Sequence, residues 1–264
     1  MKRRFALGAA LIAVPLLLAL LGPVFAGPAG PRGVSFLPGQ GHWLGTDFTG
    51  RDAWRQVLLG GRSVVLVALA ATGLGYAAAV PLGLAAALTR RGWLEEVLMR
   101  PLDVVIAVPS LVLVLITASV LSPGLVGLSL LVALAAAPDA ARVVHAAAVE
   151  IAARPAVEAM RMYGESWARI GLGYTVRAMR RTLAADLGTR LVGALYLVST
   201  AAFLGVGVQP DAADWAVMVD RNRPGLGLQP LAVVVPAALI AALAMGTNLL
   251  LDAALQRGAK GIAR

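Results

Sequence analysis

The sequence predicts an all-α protein, a polytopic membrane helical bundle with six transmembrane helices. Three observations carry that prediction. Of the 264 residues, 59% are hydrophobic and 14% charged, with mean hydropathy +0.81; soluble domains have about half apolar and about a quarter charged residues. The charged residues are clustered, leaving long uncharged intervals between them. The alternating ten-residue segments of a membrane β-barrel are absent, so the backbone must satisfy its hydrogen bonds within each segment, as a helix does.

The spans follow in order. No charged residue lies between Arg4 and Arg32, or between Arg62 and Arg90, which gives the first and second helices. The interval from Asp103 to Asp139 is too long for one span, which needs about 20 residues. It contains Ser122-Pro123-Gly124, a turn signal, so it divides into helices over 102–121 and 125–146. The intervals Arg190–Asp211 and Arg223–Asp252 supply the fifth and sixth. Pro81, Pro109 and Pro236 are expected to kink their helices. Trp43, Trp54, Trp93, Trp167 and Trp215 all fall outside the uncharged runs, matching the interfacial or loop preference of indole, with Trp167 a separate case. The start of the chain also fits a signal peptide, with a basic Met1–Arg4, an apolar run, and small residues Val24 and Ala26 before Gly27. Cleavage would leave five spans with the same downstream topology; retention is the expectation.

Orientation follows from the basic residues. With the N-terminus inside, seventeen of the 23 Lys and Arg residues fall on inner segments and six on outer ones. The positive-inside rule therefore places both termini in the cytoplasm. The surplus of +9 belongs to loops facing anionic lipid, which argues against nucleic acid as a partner. The organisation is an N-terminal helix and outer loop over 1–62, a five-helix core over 63–252 with a cytoplasmic connection at about 150–182, and a cytoplasmic tail over 253–264.

Several chemistries are excluded. With no cysteine, there is no disulfide, thiol nucleophile or Cys-ligated metal. Neither lysine, Lys2 or Lys260, sits in a phosphate-cradling G-x-x-x-x-G-K-[ST] loop, so any ATP must be bound by another chain. His42 and His145 are too far apart in sequence for a His-x-x-x-His metal pair, and no G-x-S-x-G elbow occurs. Asp103 and Asp139 are expected near the inner ends of their spans, leaving no carboxylate at mid-depth for a proton relay. An enzyme or a self-sufficient ion-coupled pump is disfavoured, and no cofactor or metal is expected on this chain.

The connection from Arg142 to Arg190 is the longest between spans, and long connections usually have a purpose. Pro155 can open a helix with Glu158 in its first turn, where the helix dipole favours a carboxylate. Gly164 can end it in a left-handed conformation. Ser166 can cap a second short helix carrying Trp167 and Ile170, which Gly171 and Gly173 are expected to interrupt. Val157, Met160 and Trp167 would form an apolar strip edged by arginines. Two readings stand: insertion into another protein's groove, or an amphipathic hairpin on anionic lipid.

Four stretches resemble one family. Glu158-Ala159-Met160 with Gly164 is similar to the E-A-A-x-x-x-G motif of membrane subunits of bacterial binding-protein-dependent ABC importers. His42-Trp43-Leu44-Gly45-Thr46-Asp47, continuing to Gly50-Arg51-Asp52, resembles the H-x-L-G-T-D-x-x-G-R-D segment of the second permease of the dipeptide/oligopeptide/nickel group. Met99-Arg100-Pro101-Leu102-Asp103-Val104 with Pro109-Ser110 resembles its M-R-x-x-D…P-S stretch. Phe203-Leu204-Gly205-Val206-Gly207-Val208-Gln209-Pro210 before Trp215 resembles its F-L-G-x-G-x-Q-P…W stretch. The order is the family's order. Met160 replaces the motif's second alanine, and Arg177 the proline usual near its end.

The resemblance implies a type I ABC importer permease fold and inward transport of a peptide or similar solute, such as a metal chelate. ATP and Mg would sit on separate ATPase subunits, one or two per complex. The partners would be a homologous permease subunit in a heterodimer and an extracytoplasmic substrate-binding protein, in the bacterial cytoplasmic membrane. Glu158, Ala159, Met160, Gly164, Trp167 and Ile170, within a coupling helix over 156–171, would dock on the ATPase. His42, Gly45, Thr46, Asp47, Gly50, Arg51 and Asp52 would form an outer loop. Asp47, Arg51 and Asp52 would pair among themselves, the favoured role, or touch the binding protein. Asp103 is expected at a helix end or on Arg100, His145 on a helix surface, and Lys260 in solvent. The rival classes are a stand-alone ion-coupled carrier and a membrane scaffold without a pathway.

Overall fold

The structure, a computed structural model, describes residues 2–39, 42–209 and 211–260, with side chains over 5–39, 42–209 and 211–253. Pro210, Arg264, and the side chains of Lys2, Arg3, Arg4, Arg257 and Lys260 lie outside what is described. Ten α-helices run in chain order among the described residues: α1 Lys2–Phe25, α2 Ala53–Leu88, α3 Gly92–Ile106, α4 Ser110–Leu121, α5 Leu125–Ala152, α6 Pro155–Met162, α7 Val176–Ala178, α8 Arg180–Phe203, α9 Trp215–Asn222 and α10 Leu231–Lys260. A π-helical turn, Arg169–Thr175, feeds directly into α7. The all-helical prediction holds; the only strand-like feature described is an isolated bridge between Thr46 and Asp52.

The span count differs from six in an instructive way. Four described helical stretches are long and apolar enough to cross a membrane: Phe5–Phe25, Ala53–Leu88, Leu125–Ala152 and Leu231–Ala253. The expected single helix over 102–121 is instead α3 and α4, bent by 82°. Pro109 supplies the break as the N-cap residue of α4, where its fixed φ is tolerated and its missing N–H costs nothing. Counting that pair as one broken span gives five. The expected fifth span lies in α8, which starts at Arg180 and takes Asp186 and Arg190 into its body, so charge dilutes its apolar character.

Packing relies on small residues, because lipid offers no hydrophobic incentive for helices to associate. α2 and α5 form the central pair, with Val64, Ala68, Ala71, Leu128 and Val132 buried between neighbours. α1 lies against α2 and α10. A side chain at Gly61 would strike Ala19 of α1 and the Trp215 ring, and one at Gly246 would meet Leu11, Ile12 and the Gly8 carbonyl. At 36 residues, α2 is about 54 Å long, well beyond a hydrocarbon core of about 30 Å. It is therefore longer than the layer is thick, and a compact structure is built on each of its ends.

Candidate functional site

At the N-terminal end of α2, residues 33–39 and 42–52 fold into a tight cap. Asp47, 2% exposed, is its organising group. Its Oδ1 accepts from the Thr49 amide at 2.8 Å, the Thr49 hydroxyl at 2.7 Å and the Arg51 amide at 2.8 Å, and its Oδ2 faces Arg51 Nε at 2.9 Å. Thr46, also buried, donates to the Val34 carbonyl at 2.7 Å and accepts from the Leu37 amide at 2.8 Å. Asp52 caps α2 by accepting from the Trp54 amide at 3.0 Å, and its other oxygen lies 3.7 Å from His42 Nδ1. Gly45 and Gly50 both have left-handed φ, +64° and +75°. A Cβ at either would also overlap neighbours, Gln229 at Gly45 and the Gly33 backbone at Gly50.

This cap is clasped to α9 and to the loops on either side of it. The Phe48 amide donates to Asn222 Oδ1 at 2.8 Å, Arg51 Nη1 donates to the Asp211 carbonyl at 3.0 Å, and Gln229 Nε2 donates to the Leu44 carbonyl. Beneath it Trp215, fully buried, donates to the Val57 carbonyl at 2.8 Å. Asp214 caps α9 by accepting from the Ala216 and Val217 amides, and takes the Ser63 hydroxyl as well. Burial pushes its carboxyl above the ordinary carboxylate range, against the opposing effect of those three donors. The predicted outer-loop residues therefore come together, with Asp47 and Arg51 paired; Asp52 turns instead to the helix cap and His42.

At the opposite end of α2, residues 153–179 form a helical hairpin. Pro155 opens α6, and Glu158 falls in its first turn. Gly164 turns the chain with φ +75°. Ser166 then caps the next helical turn, its Oγ accepting from the Arg169 amide at 3.3 Å. Gly171 and Gly173 do not interrupt this helix, contrary to expectation: both lie within the π-helical turn, where Thr175 Oγ1 donates to the Ile170 carbonyl at 2.9 Å. The apolar strip also differs from the expected one. Val157 (0% exposed) and Ile170 point inward onto Leu84, Leu88, Val144 and Ile151, with Met160 packed at the edge. These residues root the hairpin on α2 and α5, and Arg161 adds a hydrogen bond to the Leu88 carbonyl at 3.1 Å. The outward tip is Met162 (79% exposed) and Tyr163 (87% exposed), flanked by Trp167. Sequence reasoning missed these two because it followed the motif spacing and not the turn at Gly164. Of the predicted residues, Glu158 and Trp167 face outward, Ala159 is half-buried, and Ile170 serves the root.

A polar belt crosses the bundle between the two ends. Tyr76 of α2 donates to Asp186 of α8; Arg190 of α8 lies 3.2 Å from Asp186 and 3.3 Å from Asp139 of α5. Asp139 falls in the middle of α5, not near its end as expected. Asp103 pairs with Arg142 of α5; Arg100 pairs with Glu96. His145 is not a simple surface group: it is 14% exposed, with Nε2 3.0 Å from Glu95. An apolar cleft of about 480 Å³ opens between α8, α9 and α10, lined by Tyr196, Ser199, Phe203, Val219 and Ile240 among others and by no charged side chain. Among the described residues no cluster of potential metal ligands occurs.

A helical bundle with four stretches long and apolar enough to cross a membrane, a rooted hairpin at one end of α2 and a loop cap at the other has the architecture of a multi-pass membrane protein. The chain belongs to the family of binding-protein-dependent transport system inner membrane components, whose model matches residues 79–260. It is 28% identical over 228 residues to a putative peptide permease protein of Brucella abortus, covering 84% of this chain and 75% of that one. It is 30% identical over 226 residues to a putative peptide transport system permease protein of Brucella suis, covering 84% and 76%. The probable D,D-dipeptide transport system permease protein DdpC of Escherichia coli K12 is 28% identical over 215 residues, covering 81% and 72%. In three dimensions the fold resembles a chain of the MetNI methionine ABC transporter in inward-facing conformations. The TM-score is 0.60 at 17% identity, covering 75% of this chain and 94% of that one.

Proposed function

We propose that this chain is one half of an inward translocation pathway for peptides in a bacterial cytoplasmic membrane, driven by ATP hydrolysis on separate subunits. The observation that carries the reading is the hairpin: Val157 and Ile170 fix it rigidly to α2 and α5, while Met162 and Tyr163 project from it. A partner that closes on nucleotide can pull on such an element and transmit the motion to the helices beneath. Alternating access then arises as two permease bundles turn against each other. Glu158, Ala159, Met160, Gly164 and Trp167 contribute to the docking segment, and the loop cap faces an extracytoplasmic binding protein. Both termini and the hairpin lie in the cytoplasm. The second subunit is a homologous permease, and this chain binds no cofactor. The peptide names of the relatives favour a peptide over a metal chelate.

The test is uptake of a labelled peptide into proteoliposomes containing this chain, its partner permease, the ATPases and the binding protein. Uptake that requires ATP and all components supports the proposal. Uptake by this chain alone, driven by an ion gradient, would establish the secondary-carrier alternative instead.

A further inference from the structure

Beside the hairpin, at the foot of α8, Tyr174, Arg177, Ala178, Arg180 and Arg181 line an open cleft of about 440 Å³. All three arginines are exposed, and no ion pair is found for any of them among the described residues, whereas eight other arginines of the chain are paired with carboxylates. No acidic residue occurs between Arg169 and Arg181. The cluster is also held in place: Thr175 (0% exposed) and Met179 (2% exposed) bury the opposite side of the same turns, so the guanidinium groups fan outward together. Three unneutralised cations around one cleft repel one another unless an anion sits among them. Planar guanidinium forks suit phosphate oxygens.

The surroundings select the source of that phosphate. Arg180 and Arg181 open α8, whose uncharged stretch begins at Leu191, only about 15 Å further along the helix. Leu172 (54% exposed) and Leu187 (44% exposed) stand bare near the same turns, as acyl-chain neighbours would. A basic pocket at the foot of a helix, below its uncharged stretch, has the composition of a headgroup site. We propose that Arg177, Arg180 and Arg181 form a binding site for the phosphate of an anionic phospholipid, which braces the hairpin's root against the membrane surface. This site lies on the hairpin side and needs neither ATP nor solute.

The test is native mass spectrometry of the assembled transporter extracted from nanodiscs of phosphatidylethanolamine doped with phosphatidylglycerol. Wild type is compared with the triple variant Arg177→Gln/Arg180→Gln/Arg181→Gln and with the charge-matched control Arg32→Gln/Arg90→Gln/Arg91→Gln. Retained phosphatidylglycerol should fall about tenfold or more in the triple variant alone. Equal retention in all three proteins would overturn the site. Loss of the ATPase subunits with lipid retention unchanged would show an acidic protein surface as the occupant and overturn it also. Displacement of the lipid by millimolar inorganic phosphate would identify a free-anion site, which contradicts the lipid assignment. None of these readouts depends on transport, so failure here leaves the proposed function standing, and the reverse.

Discussion

Asp47 shows how one buried carboxylate specifies a loop. It satisfies three donors from residues two and four positions away and neutralises Arg51, so removing it orphans all of them together. Asp47→Ala should destabilise the cap by about 3 kcal/mol, the scale of breaking a buried pair. Membrane yield and the heated midpoint of the detergent-solubilised transporter should both fall. A variant with normal yield that loses only binding-protein docking would assign Asp47 to recognition instead. Gly45→Ala should be comparably harmful, since its left-handed backbone and the neighbouring Gln229 side chain both oppose a Cβ. The pairing of Asp47 with Arg51 and the turns at Gly45 and Gly50 were legible in sequence, because each depends on residues within a few positions. The Tyr76–Asp186–Arg190–Asp139 belt was not. It joins three helices, and no local pattern reports which faces meet. Arg190→Met leaves the Tyr76 hydroxyl as the remaining partner of Asp186 and should cost about 2 kcal/mol after allowance for partial exposure. The thermal midpoint of the transporter measures it, and an unchanged midpoint would mean the belt contributes nothing to stability.

At the scale of elements, the hairpin separates two roles that the sequence motif merges. Its inward residues root it on α2 and α5, and its outward residues, on the proposed function, are what the ATPase grasps. Tyr163→Ala combined with Met162→Ala should leave expression and heat stability unchanged, since both side chains are in solvent, yet greatly weaken co-purification of the ATPase subunits. Gly164→Val should do the same by a different route. Nothing crowds a Cβ there, but the φ of +75° is hostile to a β-branched residue, so the tip would rearrange. If ATPase association and uptake survive both changes, the docking assignment is wrong. Helix existence was legible wherever apolar runs were long, as in α1, α2, α5 and α10. At Pro109 the kink was legible from the proline itself, though not that it would be an 82° break dividing α3 from α4; in α8 a helix continues through charges that composition assigned to a loop. The continuation through Gly171 and Gly173 was missed for a different reason: a glycine within a helix costs only about 1 kcal/mol, which neighbouring packing can outweigh.

For the whole molecule, the decisive geometry is that cap and hairpin occupy opposite ends of a helix longer than the apolar layer is thick. Under the proposed function, energy supplied at the hairpin would reach a solute admitted at the cap through α2 and the helices packed on it. Which end faces the cytoplasm sets the direction of that coupling. The chain has no cysteine, so single-cysteine variants report sidedness without background. Trp43→Cys and Tyr163→Cys, both at highly exposed positions, can each be probed in intact cells with a membrane-impermeant maleimide. The account predicts labelling at position 43 from outside, and at position 163 only after the cytoplasmic membrane is permeabilised. Labelling of position 163 in intact cells, with position 43 protected, would contradict it.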